Sequence, residues 1–104
     1  MLNTRIALKQ IHNFLSDLKT EKDITVQKAI LFGSVAKGTS RDSSDIDLAI
    51  WSEKFEGCVP FDLEKFLSVK AKYPLIEVHT FQKDEDKFSN PFIEEIEKYG
   101  IVVN

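Results

Sequence analysis

The sequence predicts an α/β domain built from one small sheet and a few helices. Two observations lead to this class: apolar residues recur at helical spacing in three segments, and short runs rich in apolar and β-branched residues lie between them. The elements follow the order helix, strand, turn, strand, helix, strand, helix, strand, which is typical of a sheet with helices packed on it. A length of 104 residues suits a single domain over residues 1–104.

The first segment is predicted to be an amphipathic helix. Four apolar residues lie at the i, i+3, i+4, i+7 spacing of one helix face: Ile11, Phe14, Leu15 and Leu18. Asn3 or Thr4 is placed to cap its start, and the polar run over residues 19–23 ends it.

Residues 24–32 are apolar and β-branched, and we expect a buried strand in the second half of this run. Small and turn-forming residues fill positions 33–44, which predicts a loop with about one helical turn. Residues 45–51 then alternate as a strand does, with one face formed by Asp45, Asp47, Ala49 and Trp51.

The second half of the chain predicts two further helices and two further strands. Residues 62–71 form a helix with Leu63, Phe66 and Leu67 inward, and residues 75–81 form a strand whose one face includes Glu77 and His79.

The last helix is predicted to start at Asn90 and Pro91, a favourable cap and first-turn pair. It should turn Phe92, Ile93 and Ile96 inward and end at Gly100 as a C′ glycine, before a short edge strand over residues 101–103.

Composition excludes several classes of protein. A net charge of −3 argues against binding duplex DNA through broad phosphate neutralisation, but leaves a nucleotide site open. The single Cys58 excludes an internal disulfide, and one Cys with two His residues cannot form a structural zinc site. No apolar run approaches the roughly 20 residues of a membrane span, and the N-terminal sequence lacks a signal-peptide core. We therefore expect a cytoplasmic protein.

The residues most suggestive of chemistry lie between positions 33 and 47. Strand periodicity places Asp45 and Asp47 on one face, roughly 6.5–7 Å apart along the strand. Two carboxylates on one face repel each other, and a divalent cation is the natural counter-charge. All-oxygen ligands favour Mg²⁺ or Mn²⁺. Gly33 would let the backbone approach a phosphate, and Ser34 adds a hydroxyl. The nearby cations Lys37 and Arg41 could contact phosphate oxygens.

Each piece is a weak signal alone, since a Gly-Ser pair usually forms a turn and an Asp-x-Asp pair is usually a solvated strand face. Together, the segment GSVAKGTSRDSSDIDLAIW resembles the G-S-x10-D-x-D signature of the minimal nucleotidyltransferases, small members of the DNA polymerase beta superfamily. The resemblance extends from about residue 26 to the end of the chain. It implies a small mixed sheet flanked by helices, the polymerase-beta-like nucleotidyltransferase fold.

The resemblance also implies roles for individual residues. Gly33 and Ser34 match the pair that cradles the triphosphate, and Asp45 and Asp47 match carboxylates that bind two metal ions. Glu77 matches a third carboxylate, often Asp in relatives, which ligates metal and helps deprotonate the acceptor hydroxyl. For His79, on the same strand face, both a packed sheet residue and a site-lining residue stay open.

The implied reaction transfers a nucleoside monophosphate, AMP from ATP, to a hydroxyl with Mg²⁺ as cofactor. Such short chains resemble the antitoxin halves of toxin–antitoxin modules, which implies a HEPN-domain toxin as partner and one of its tyrosines as acceptor. The acceptor would be brought by such a partner or by a homo-oligomer. The alternative is a catalytically dormant subunit that neutralises its partner by contact. The presence of the whole set, Gly33, Ser34, Asp45 and Asp47, favours the enzyme.

Overall fold

The computed structural model describes residues 3–38 and 45–104. Within these ranges the chain forms helices α1 (Thr4–Lys22), α2 (Gly33–Lys37), α3 (Val59–Leu63), α4 (Leu67–Lys70) and α5 (Pro91–Tyr99), and strands β1 (Lys28–Phe32), β2 (Ile46–Ser52), β3 (Ile76–Gln82) and β4 (Ile101–Val102). The predicted α/β class with a small sheet is confirmed. In this described part, none of the helices combines the length and the apolar character needed to cross a bilayer.

The four strands form one mixed sheet in the order β3-β2-β1-β4. β1 pairs antiparallel with both β2 and β4, whereas β2 and β3 are parallel. β2 and β3 therefore start at the same edge of the sheet, and β1 ends there. The register at this edge pairs Phe32 with Asp47, and Asp47 with Glu77. One end of the sheet thus collects polar side chains from two neighbouring strands.

One face of the sheet is covered by α1 and by the α3–α4 segment. The Asn3 side chain caps α1, accepting a hydrogen bond from the Ile6 backbone N–H at 3.0 Å, as predicted. The fully buried Phe14 ring meets the Phe66 ring edge-on, with centroids 6.2 Å apart. The larger of the two apolar cores lies in this layer, so α1 and these short helices hold the back of the sheet.

Helix α5 covers only part of the opposite face of the sheet. Trp51 and Phe81 stack there with ring centroids 4.8 Å apart, and the buried Ile93 and Ile96 of α5 pack in the same cluster. The Asn90 side chain caps the helix by accepting from the Phe92 N–H at 3.1 Å, as predicted. This face is therefore apolar under α5 and polar at the edge where β2 and β3 begin.

The predicted continuous helix over residues 62–71 is wrong. Two short helices, α3 and α4, replace it, and Phe66 between them has φ −143° and ψ 27°, outside the helical region. The break lets Phe66 bury fully against Phe14 and Phe55, whereas Leu67, predicted to face inward, is 56% exposed. Packing of one large aromatic side chain thus overrides the local helical pattern.

Two predictions about α5 also need correction. Phe92, expected inward, is 43% exposed. Gly100 ends the helix, but with φ −74° and ψ 157° it is extended rather than left-handed. A glycine is needed at this position because a Cβ there would collide with the Ile30 side chain and the Ile96 carbonyl oxygen. The glycine allows α5 to pass close to β1 before the chain enters β4.

A buried carboxylate that sequence reasoning missed organises the segment before α3. Asp62 is fully buried and accepts hydrogen bonds from three successive backbone N–H groups, from the Thr80 hydroxyl and from the Lys65 ammonium. Burial by itself would raise the pKa of Asp62, but these hydrogen bonds lower it below its ordinary value. Asp62 therefore ties the loop and α3 to β3 as a structural anion.

Candidate active site

Three ligand-bearing side chains meet at the polar edge of the sheet. Asp47 and Glu77 are register partners on β2 and β3, and His79 lies two residues further along β3, on the same face. His79 Nε2 is 4.0 Å from Asp47 Oδ1 and 4.0 Å from Glu77 Oε1. One ligand atom of each residue lies within 4.8 Å of the others. We call these three residues the acidic cluster.

The electrostatics of the acidic cluster favour a bound cation. Partial burial raises the pKa of Asp47, and the negative charge of Glu77 raises it further, while His79 acts in the opposite direction. The Asp47 side chain is 26% exposed and that of Glu77 is 55% exposed, so water hydrates the two carboxylates unequally. A divalent cation would relieve the repulsion, and two carboxylates with one imidazole form a donor set that fits such an ion.

Gly33 lies directly against the acidic cluster. It follows Phe32, the register partner of Asp47, and has a left-handed φ of +77°. A Cβ at Gly33 would collide with the Asp47 carboxylate oxygen Oδ2. Gly38 has a similar φ of +75°, but no described atom lies within 4 Å of a Cβ placed there. Gly33 is thus needed both for its backbone conformation and for the close approach of the carboxylate, and Ser34 follows it in the first turn of α2.

The remaining predicted site residues take other positions. Asp45 is exposed just before β2; its negative charge contributes to the raised pKa of Asp47, but it is not one of the clustered ligands. The Lys37 ammonium lies 5.2 Å from the centroid of the Tyr99 ring, in contact with α5. Arg41 lies outside the described residues. The structure therefore brings together Gly33, Asp47 and Glu77 from the predicted set.

A cavity lies beside β3, mainly on the side of the sheet that α3 and α4 cover. Its volume is about 330 Å³, and both Asp45 and Glu77 line it. Its other walls come from α3, α4, the loop before β3, and β3 itself: Val59, Leu63, Lys70, Pro74, Ile76 and Val78. Ile76 and Val78 lie on the face of β3 opposite to Glu77 and His79, so this recess meets the site only at Asp45 and Glu77.

His79 is the site residue that the sequence left open. Its ring packs edge-on against Phe32 and Phe92, with centroid distances of 5.1 and 5.7 Å, and its Nε2 faces the two carboxylates. It is therefore both a packed sheet histidine and a lining residue. The available sequence signal was its i+2 spacing from Glu77 on one strand face.

The sheet is mixed and flanked by helices, and the carboxylates of β2 and β3 lie beside the glycine that follows β1. This arrangement is that of a nucleotidyltransferase-type α/β domain. The chain belongs to the polymerase beta nucleotidyltransferase family, whose model matches residues 9–103. The resemblance to the DNA polymerase beta superfamily that the sequence showed is thereby confirmed.

Among solved structures, the chain is similar to that of a candidate nucleotidyltransferase from Sulfolobus solfataricus. The TM-score is 0.65 at 15% sequence identity, and the match covers 95% of this chain and 80% of the other. At that identity the likeness supports the fold. A search of curated proteins found no match.

Proposed function

We propose that the protein is a divalent-metal-dependent nucleotidyltransferase that transfers AMP from ATP to a hydroxyl group of a protein acceptor. The observation that carries this proposal is the packing of Asp47, Glu77 and His79 into one cluster against the Gly33 backbone. Membership of the nucleotidyltransferase family supports the general reaction. Metal dependence, AMP and the protein acceptor go beyond the family assignment.

In this proposal Asp47 and Glu77 hold the divalent ion, with Asp45 as a further carboxylate at its edge. The bound ion, Mg²⁺ or Mn²⁺, would neutralise charge on the phosphates. His79 in the donor set favours Mn²⁺, because imidazole is a softer ligand than carboxylate. Gly33, which lets its backbone lie close to Asp47, would admit the triphosphate beside the cluster.

The acceptor is proposed to approach beside β3, where the Glu77 carboxylate is half-exposed. Its hydroxyl oxygen would bond to the α-phosphorus while the bond to the bridging oxygen breaks, releasing pyrophosphate. Glu77 would take the hydroxyl proton, and its half-exposed carboxylate beside His79 supports this role.

The proposed acceptor is a tyrosine of a HEPN-domain toxin, which would make this chain an antitoxin acting in the cytoplasm. Support for this finer step is the resemblance of the chain to the antitoxin halves of such modules. Supply of the acceptor by a second copy of the chain is the alternative route.

The proposal can be tested by co-expressing the chain with a HEPN-domain protein encoded by the neighbouring gene. Intact-mass spectrometry should show the partner gaining the mass of one AMP for each transfer. Asp47→Asn should abolish this gain, and Asp84→Asn, which alters an exposed carboxylate in the turn after β3, should preserve it. A partner that stays unmodified, yet is neutralised equally by the parent and by Asp47→Asn, would leave the dormant, contact-only subunit as the better account.

A further inference from the structure

We propose that Phe92 is the stacking platform for the nucleobase of the donor nucleotide. This inference rests on the proposed function, because it assigns the part of the same site that would recognise a base rather than a phosphate.

Phe92 is connected to the acidic cluster through aromatic contacts. Its ring centroid lies 5.7 Å from the His79 ring and 5.9 Å from the Phe32 ring, both in edge-on geometry. His79 itself is 4.0 Å from each carboxylate of the cluster. The three rings contact one another pairwise and form a partly exposed aromatic surface beside the two carboxylates.

Part of that surface is open to solvent. Phe92 is 43% exposed, although sequence periodicity predicted that it faces inward. A partly exposed ring beside the cluster offers an apolar contact that a ligand bound at the cluster can cover. Nucleobases are suitable ligands, because every base has a π-face and stacking on an aromatic side chain contributes about 1–3 kcal/mol per base.

The platform is held in place before any ligand arrives. Phe92 is the second residue of α5, and its N–H donates to the Asn90 cap. The buried Ile93 and Ile96 anchor the helix to the sheet. A ring fixed in this way loses little conformational freedom on binding, which favours stacking affinity.

The charge of the site explains why such a platform would be needed. The acidic cluster repels a triphosphate unless a cation intervenes, so a metal ion would hold the phosphates at the cluster. A neutral base gains nothing from that interaction. Contact with an apolar ring next to the cluster would therefore be the chain's own means of selecting a nucleotide over a bare polyphosphate.

The test compares two ligands, Mn²⁺–ATP and Mn²⁺–tripolyphosphate, which share the phosphate chain but not the base. Calorimetric titration of Phe92→Ala should show ATP affinity reduced by about 5- to 150-fold, the change that corresponds to 1–3 kcal/mol. Tripolyphosphate affinity should stay within about twofold. Phe92→Trp should restore ATP binding, and Phe92→Leu, which keeps apolar packing without a π-face, should not. Phe88→Ala, at a ring that is 86% exposed, is the matched control.

Four outcomes would count against the inference or against the proposed function on which it rests. Equal loss of both ligands in Phe92→Leu would show that Phe92 only supports the acidic cluster. Unchanged ATP affinity with impaired transfer to the acceptor would place the acceptor's ring on Phe92 instead of the base. Failure of the parent protein to bind either ligand with Mn²⁺ would refute the proposed function itself, whereas binding of both ligands to the parent with no effect of Phe92 would refute the platform alone.

Discussion

Gly33→Ala should damage both the stability and the metal affinity of the protein. Two costs add at this position. The first is the left-handed φ of +77°, which an L-residue adopts at a penalty of about 1–2 kcal/mol. The second is the collision of the new Cβ with the Asp47 carboxylate. Gly38→Ala supplies a matched control. It has almost the same φ, +75°, and no described atom within 4 Å of the new Cβ.

The difference between these two variants isolates the contact with Asp47. We expect Gly38→Ala to lose about 1–2 kcal/mol of unfolding free energy. Gly33→Ala should lose about 2–5 kcal/mol, since a steric clash in a packed site adds about 1–3 kcal/mol. The Asp47 side chain must also rotate away, which separates it from Glu77 and His79, so Mn²⁺ affinity should fall in Gly33→Ala alone.

Urea denaturation followed by fluorescence of the single, buried Trp51 measures stability, and calorimetry measures Mn²⁺ binding. A double-mutant cycle then tests the mechanism, because Asp47→Ala removes the colliding oxygen. In that background the cost of Gly33→Ala should drop to about that of Gly38→Ala. Equal losses in the two glycine variants, with no coupling in the cycle and unchanged Mn²⁺ affinity, would refute this reasoning.

Two further predictions concern carboxylates with opposite pKa shifts. Asp47→Asn should raise the free energy of unfolding at pH 7 without metal, because burial and the charge of Glu77 raise the pKa of Asp47 and make its ionised form costly. That cost develops as the pH rises from the unfolded-state pKa near 3.9 through the raised folded-state pKa. The urea midpoints of the parent and the variant should therefore converge in acid. A difference between the midpoints that does not change with pH would contradict this prediction. Asp62→Asn should lower the free energy of unfolding by about 2–4 kcal/mol at pH 7, because it weakens a buried acceptor of several hydrogen bonds. The pKa of Asp62 is lowered, so this stabilisation is present above about pH 4 and lost as the pH falls through the folded pKa. Thermal melts from pH 7 to pH 3 that show a pH-independent difference would argue against an ionised Asp62.

Much of the local structure could be predicted because it depends on neighbouring residues. The apolar spacing of α1, its Asn3 cap and the Asn90 cap of α5 are all readable from a few consecutive residues. Alternation along β2 likewise indicated that Asp47 and Trp51 share a face, as the structure has it.

The errors arose where a distant contact decides the conformation. Phe66 breaks the expected helix to reach Phe14 on α1, which no local pattern encodes. Gly100 looked like a helix-ending glycine, yet the crowding by Ile30 on β1 accounts for it. Asp62 looked like an ordinary polar residue in a helix, and only its buried position beside Thr80 reveals its structural role.

The sequence by itself determined the α/β class, the nucleotidyltransferase resemblance and the candidate roles of Gly33 and Asp47, because these depend on short segments with characteristic spacing. Only the tertiary structure decided which residues share the site. Parallel pairing of β2 with β3 places Glu77 and His79 beside Asp47 and leaves Asp45 outside the cluster. The physical reason is that strand alternation specifies a face, whereas the register between strands distant in sequence is set by packing of the whole sheet.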